Sequence, residues 1–286
     1  MDHRKDMREI NVKKIREVVT ELCLKANFEL RKDVLKALRG ALSKETNSRA
    51  KNILKTLIEN AVLAKKKRIA ICQDTGFVSV FIELGSSILL TDGELREGVD
   101  KGVEDAYKKG YLRKSVVKDP LLRENTNTNT PCIIHVDIVE GDKIKIYVSP
   151  KGFGSENKSA IKMLKPTATE KDIIDFVTEV VRLAGPDACP PYILGIGIGG
   201  TFEYAAYLSK KALLRSIESG NNKRQFRKLE KDILKAVNSL GIGPMGLGGK
   251  VTALGVNIEE FPTHIAGLPV AITVSCHATR SAEKVL

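Results

Sequence analysis

The sequence contains no tryptophan, 5% aromatic residues and two glutamines in 286 positions. So few rings leave little with which to stack bases, and neither zinc-finger spacing nor an aromatic ribonucleoprotein signature is present. The formal charge of +12 therefore does not point to specific nucleic-acid binding. The densest basic run, NNKRQFRKLEKDILK at 221–235, has acids mixed in and predicts a solvated helical face. Attraction of small anionic substrates is the more useful consequence of the positive field. Abundant lysine beside scarce glutamine fits a thermophile, or an AT-rich genome. No apolar run reaches eighteen residues, and MDHRKDMREI lacks the apolar segment of a signal peptide. These absences predict a soluble, cytoplasmic protein with no membrane span. A CxxC pair is missing too. The five cysteines are odd in number and widely scattered, which argues against a disulfide framework and for thiols or metal ligands.

What is present is a large apolar fraction, 42%, enough to bury a sizeable core. We read residues 1–286 as a single domain: a helical segment over 1–66, then a mixed α/β part over 67–286. Val12, Ile15, Val19 and Leu22 recur at helical spacing, as do Leu35, Leu38 and Leu42. Asn47 reads as the N-cap of a third helix with the buried stripe Ile53, Leu57, Ala61 and Ala64, ended by Lys65 to Lys67. RIAIC (68–72) and VSVFIEL (78–84) switch to strand character. A helix capped by Thr91 is expected to run to Tyr107. LRKSVVKDPLLRENTNTNTP (112–131) is polar and aperiodic, an ordered loop of functional length. CIIHVDIVEGDKIKIYVSP (132–150) predicts a β-hairpin turning at Glu140-Gly141-Asp142. The glycine-rich KGFGSENKSA (151–160) is expected to enter a helix. IIDFVTEVVRLAG predicts another, closed by Gly185. YILGIGIGGTFEYAAYLSKKALL reads as a buried strand, a glycine turn and a helix, and strands follow to Cys276. No repeat or linker is visible. Strands alternating with helices make the fold class mixed α/β.

The cysteines divide by context. Cys23 and Cys132 lie inside periodic elements and read as small core hydrophobes. Cys72 precedes QDTG, Cys189 lies in GPDACPPY and Cys276 ends VAITVSC before HATR. Each of these stands where regular structure gives way to irregular backbone among polar groups, a setting that suits a metal ligand. Three thiolates from distant segments would suit an iron–sulfur cluster with one iron lacking a protein ligand. Zinc with a water in its fourth position is the competing metal.

The strings ICQDTG, NTNTNTP, KGFGSENKS, GPDACPPYILGIGIGG and LGIGPMGLGGKVTALGVNIEEFPTHIAGLPVAITVSCHATR resemble the α subunit of class I, iron–sulfur-dependent fumarate hydratases, a subunit shared with L-tartrate dehydratase. The resemblance runs from about Ile10 to the end of the sequence. It implies a [4Fe–4S] cluster on Cys72, Cys189 and Cys276, and substrate contacts from Gln73 and Asp74. It implies a carboxylate-binding arginine, for which Arg113 is the candidate ahead of Arg123. It also implies a substrate pocket lined by Gly154 with Ser155 beside it, and an active-site histidine at His264. Single-chain relatives continue into a second domain that carries the base, whereas this sequence ends soon after Cys276. That resembles one half of a two-subunit enzyme, an α2β2 assembly with a β subunit. The implied reaction is reversible hydration of fumarate to (S)-malate, or dehydration of L-tartrate. The open iron would serve as Lewis acid and Asp74 would exchange a proton with the leaving oxygen.

Plainer readings stand beside these. Asp74 fits a turn cap before Gly76. Gly195, Gly197 and Gly200 have G-x-G-x-x-G spacing, but no acidic residue closes a second strand about twenty residues on, so close packing is the better reading. NTNTNT reads as an ordered polar loop lining a pocket. His264 outside its motif would be a bonded core histidine, and His277 is left unassigned. A basic, non-catalytic protein using the same cysteines for structural zinc is the alternative of another class.

Overall fold

Asn11 sets the first boundary. It ends a short strand, β1 (Arg8–Asn11), and its side chain accepts from the Lys13 amide at 2.8 Å to open helix α1 (Val12–Phe28). Val12, Ile15, Val19 and Leu22 are buried along α1 as their spacing predicts. These are features of a computed structural model that describes residues 7–286. Residues 1–6, on which part of the reading of the N-terminus rests, lie outside the described residues. Helix α2 (Lys32–Lys44) buries Val34, Leu38 and Ala41 rather than the stripe Leu35, Leu38 and Leu42, a rotation of about one position. Helix α3 (Ser48–Lys67) is capped by Asn47, whose Oδ1 accepts from Ala50 N at 3.1 Å. Its buried stripe is Ala50, Leu54, Ala61 and Ala64, with Ile53 and Leu57 at the margin.

The remaining elements are β2 (Phe77–Gly85), β3 (Ile88–Thr91), α4 (Leu95–Lys109), β4 (Ile133–Val139), β5 (Ile144–Lys151), α5 (Phe153–Glu156), β6 (Ala160–Leu164), α6 (Glu170–Ala184), β7 (Tyr192–Gly200), α7 (Phe202–Ala212), α8 (Arg224–Asn238), β8 (Ala253–Thr263), β9 (Leu268–Ser275) and β10 (Ala282–Val285). The class is mixed α/β, with a helical segment ahead of the strand-rich part. The described residues contain no helix long and apolar enough to cross a membrane. Contacts divide the chain into two units. The first takes residues up to Arg31, Val62–Gly152 and Arg280–Leu286, and the second takes Lys32–Ala61 and Phe153–Thr279.

In the first unit four strands run in the order β10-β5-β2-β4, with β2 parallel to β4 and antiparallel to β5. Val78, Val80 and Ile82 of β2 join Ile144, Ile146 and Val148 of β5 under α1 and α4. The expected hairpin is therefore absent. β4 and β5 are consecutive in sequence, but β2 lies between them, and their connection crosses the end of β2 with Gly85 N bonded to Lys143 O at 2.9 Å. Three other expectations are corrected. RIAIC is not a strand: Arg68 takes φ 52° and the Ile69 amide returns to Ala64 O at 3.1 Å, so α3 closes into a bend that pairs with no strand among the described residues. Thr91 does not cap a helix, because β3 pairs in parallel with β1 through it and α4 begins at Leu95. The KGFGSENKSA segment makes one helical turn and then a strand, β6, drawn into pairing by the edge of β9.

The second unit has the order β6-β9-β7-β8, with β7 parallel to β8 and antiparallel to β9. β7 is buried along almost its whole length, as its apolar run predicts. Leu194, Ile196 and Ile198 pack with α6 and α8, while α7 lies on the other face. A Cβ at Gly195 or Gly197 would overlap the backbone oxygens of Ser209 or Ala205 on α7. The glycine run thus serves close helix–strand packing, not a dinucleotide turn. Thr169 and Asp172 form a capping box at the start of α6, and Gly185 ends it with φ 52°. The basic run lies on α8, whose buried residues are Leu229, Glu230, Ile233 and Val237.

Candidate functional site

The bend that follows α3 carries Cys72 and Gln73 and leads through Asp74-Thr75-Gly76 into β2. Asp74 Oδ1 accepts from Gly76 N at 3.1 Å, so the aspartate does cap its own turn. Gly76 takes φ 83°, and a Cβ there would fall 2.6 Å from the Lys151 carbonyl carbon. Three almost fully buried polar side chains fix this turn. Tyr107 Oη donates to Thr75 O at 2.7 Å and Gly76 O at 3.0 Å. Asn129 Nδ2 donates to Gly76 O at 3.2 Å. Arg280 Nη2 donates to Asp74 O at 2.8 Å, while its Nη1 reaches Asn27 Oδ1 at 3.2 Å. Burial pushes the Tyr107 phenol above its ordinary range, so it remains a neutral donor. The NTNTNTP loop is ordered by the same bonds, since Asn129 Oδ1 also accepts from Ser115 N at 2.7 Å.

Arg113 joins the turn through its backbone. Its carbonyl accepts from Thr75 Oγ1 at 2.6 Å, and its guanidinium is exposed. Arg123 lies farther along the same loop, exposed, with φ 63°. Gly152, which leaves β5, has no room for a side chain: a Cβ there would lie 2.9 Å from Asp74 Oδ2. The first unit therefore gathers Cys72, Gln73, Asp74 and Arg113. It adds Gly152, Tyr107, Asn129 and Arg280, which sequence reading missed. Arg280 stands inside the quoted CHATR string, but one arginine in a basic chain carries no mark of burial.

The second unit makes its own cluster. Cys189 takes φ 54° just before the cis Pro190-Pro191 bond and β7. His277, two residues beyond the end of β9, brings its backbone N to Cys189 O at 3.2 Å and its Nδ1 to the same oxygen at 3.1 Å. Cys189 and Cys276 are thereby held at one corner, and His277 acquires a role as the tie. Met245 N secures the other side of the loop on Pro190 O at 2.8 Å. Burial first, and then the neighbouring Cys189, push the Tyr192 phenol up. The KGFGSEN turn lies against this corner. Lys158 Nζ pairs with Asp187 Oδ2 at 2.7 Å, and the space over Gly154 is open, with Asp187 O 3.8 Å from the position of a Cβ. Ser155 is buried.

His264 is not brought to that corner. It follows β8 in the connection to β9, beyond Gly200, and roughly 26 Å of strand separates Gly200 from Tyr192 at the other end of β7. Its Nδ1 accepts from Ala266 N at 3.2 Å, which places the proton of the neutral ring on an exposed Nε2.

The thiols separate as their contexts predicted. Cys23 and Cys132 are buried, and burial raises both thiols, Cys132 with a further push from Asp100. Cys72, Cys189 and Cys276 are half-buried at bends and strand ends, and no disulfide links any of the five. Such a donor set fits a thiolate-held cluster with one iron left without a protein ligand. Among the described residues, no group of three His, Cys, Asp or Glu side chains is assembled to hold a metal ion. Cys72 belongs to one unit and the other two thiols to the second.

Residues 16–285 match the family model described as Fumarate hydratase (Fumerase). A protein of Methanocaldococcus jannaschii, provisionally named L(+)-tartrate dehydratase subunit alpha, is 45% identical over 281 residues, covering 95% of this chain and 97% of that protein. L(+)-tartrate dehydratase α subunits of Escherichia coli and Shigella boydii are each 32% identical over 272 residues, covering 94% of this chain and 89% of theirs.

Proposed function

Since the chain belongs to the fumarate hydratase (Fumerase) family of hydro-lyases, we propose that it is the α subunit of an iron–sulfur hydratase. Acting with a β subunit in the cytoplasm, it would convert fumarate and water reversibly to (S)-malate. Cys72, Cys189 and Cys276 are assigned as the thiolates that hold a [4Fe–4S] cluster. The observation that carries this is the corner at which His277 ties Cys189 to Cys276, beside the open turn at Gly154. When bound, such a cluster supplies an open iron that makes hydroxide a tolerable leaving group.

The chain's own residues do the rest. Arg113 presents an exposed guanidinium suited to gripping a substrate carboxylate in plane. Gln73 stands exposed beside Cys72 and can donate its amide to the other end of the substrate. Asp74, held at the turn by the bond from Gly76 N to its Oδ1, is assigned to give a proton to the departing oxygen or take one from incoming water. Gly154 leaves space for substrate without side-chain bulk. The group that removes the carbon-bound proton is assigned to the β subunit. From the far end of β7, His264 serves such a site only when a second copy of the chain supplies it.

L-tartrate is the second reading, favoured by the names of the relatives reported above, each an α subunit of tartrate dehydratase. The test is anaerobic reconstitution with iron and sulfide, then rates with the β subunit present. The expected outcome is a brown protein with about four irons per chain that hydrates fumarate. Turnover of L-tartrate alone moves the assignment to the second reading. A colourless protein holding stoichiometric zinc overturns both.

A further inference from the structure

Arg280 is 3% exposed, and its guanidinium donates to two neutral oxygens, Asp74 O at 2.8 Å and Asn27 Oδ1 at 3.2 Å. Among the described residues its Nε has no hydrogen-bond partner. That is a costly way to build a clamp. Burying a guanidinium forfeits its hydration, and neutral acceptors return only part of it. A glutamine amide would serve neutral oxygens without burying a charge. The charge therefore has a further use.

Gly152 marks the place where it is used. The point at which a Cβ would stand there lies 2.9 Å from Asp74 Oδ2 and 3.6 Å from Arg280 Nη2. Carboxylate and guanidinium thus converge on one spot, which stays clear because position 152 has no side chain. A charge buried on one side is screened little, so the attraction across that spot is strong. Asp74 is then held in three ways: by Gly76 N on its Oδ1 at 3.1 Å, by Arg280 on its carbonyl, and by the guanidinium charge near Oδ2.

The end of the chain holds Arg280 itself. Ser149 Oγ donates to Arg280 O at 3.2 Å, and two residues on, β10 pairs with β5 in the register of Ala282 with Val148. Asn27, fully buried, braces the other prong of the fork and is fixed by its own bond from Nδ2 to Cys23 O at 3.0 Å. All of these groups belong to the first unit.

We propose that Arg280 is a positioning residue of the hydration: buried out of reach of substrate, it aims the Asp74 carboxylate through the carbonyl bond and the charge together. The inference rests on the role given to Asp74 above.

The test uses the complex with the β subunit, reconstituted with iron and sulfide, and whichever of fumarate and L-tartrate the parent turns over. Arg280→Gln keeps a neutral donor and removes the charge. It is expected to hold iron content and KM within about twofold while kcat falls roughly 10- to 100-fold, the scale of a displaced reacting group. Hydrogen exchange at the Gly76 amide, which is bonded to Asp74 Oδ1, should quicken about tenfold or more. Arg280→Lys restores the charge but cannot span both oxygens, and should recover part of the lost kcat. Gly152→Ala disturbs the same carboxylate, so joined to Arg280→Gln it should lose little more than the worse single variant. Parent-like kcat in a folded Arg280→Gln overturns the proposal, as does a loss that follows iron content or lies in KM alone. Losses that multiply in the double variant overturn the shared route through Asp74. If Arg280→Gln does not fold, Arg280→Lys decides: kcat lowered at parental iron content and KM supports the role, and parental kcat overturns it. A parent complex that turns over neither acid overturns the reaction, and Gly76 exchange then judges Arg280 by itself: faster exchange in the variants supports the positioning, and unchanged exchange overturns it.

Discussion

In the first unit β2 runs parallel to β4, which follows its helix, and antiparallel to β5, which comes next; in the second β7 has the same relation to β8 and β9. In each, the loop entering the central strand carries a half-buried cysteine, Cys72 or Cys189, and lies against the residues leaving the third strand. The difference is in what fixes that loop. Around Asp74 it is buried side chains, Tyr107, Asn129 and Arg280, with a glycine opposite. Around Cys189 it is mainly backbone: two prolines, Met245 N and the His277 amide, with His277 Nδ1 on the same carbonyl. Side-chain clamps fix the direction of a carboxylate. Backbone ties fix the position of a sulfur through the chain that carries it.

The comparison is broken most forcefully at the thiols. Cys189→Ser or Cys276→Ser should remove bound iron and lower turnover by well over the roughly 100-fold that outer-shell changes cost a metal site. Urea midpoints should scarcely move, because both residues are half-buried. Cys23→Ala should do the reverse, keeping iron and turnover while costing about 1 kcal/mol of stability. Iron content, kcat and denaturation on the same preparations decide it, and equal behaviour of the two sets would erase the distinction.

A smaller effect is expected at the glycine opposite Asp74. Gly152→Ala forces a methyl group to within 2.9 Å of Asp74 Oδ2. Displacement of a reacting group by an ångström can cost about 100-fold, so kcat should fall roughly 10- to 100-fold with iron content and KM retained. Gly154→Ala, with its nearest neighbour at 3.8 Å, should instead raise KM. Unchanged kcat in Gly152→Ala removes the clamp from the chemistry.

The mildest difference is one of pH. Glu45, buried in the second unit, accepts from Thr46, Asn47 and Lys250 amides at 2.8, 2.9 and 2.7 Å. Burial alone would raise its carboxyl, but the three donors outweigh it and the carboxyl lies below its ordinary value. A depressed folded value means that the ionised form stabilises the fold above the ordinary carboxylate value of 4.5, and that this is lost as acid protonates the folded group. Glu45→Gln should cost roughly 1–3 kcal/mol at neutral pH and flatten the acid limb of stability against pH. An acid limb identical to that of the parent shows that Glu45 contributes nothing to it.

Much of this could be read locally. Helical spacing located α1 and α6, Asn47 and Gly185 marked real boundaries, and the glycines of β7 were correctly taken as packing. The quoted motifs also led to the turns that hold Cys72 and Cys189. What local pattern could not carry was pairing across distance. Residues 132–150 look like a hairpin because their alternation is sound and their turn contains glycine. Only the insertion of β2, more than forty residues earlier, separates the two strands. RIAIC has strand composition, but among the described residues no strand pairs with it, and composition does not make a ladder. His264 shares a motif with Cys276 and yet lies at the other end of the sheet, because a strand intervenes. Arg280 became visible as a clamp only once its contacts at 206 and 253 residues' separation were in place.

Those separations also bear on the order of assembly. A contact that joins residue 280 to residues 74 and 27 closes nearly the whole chain into a loop, and such closures come late and slowly in folding. During synthesis, Cys72 and Asp74 leave the ribosome some two hundred residues before the guanidinium that fixes their turn. For that interval the thiol is a soft nucleophile on a loose loop, exposed to oxidants and stray metals. On the cluster assignment proposed above, iron would be delivered only after β10 has docked.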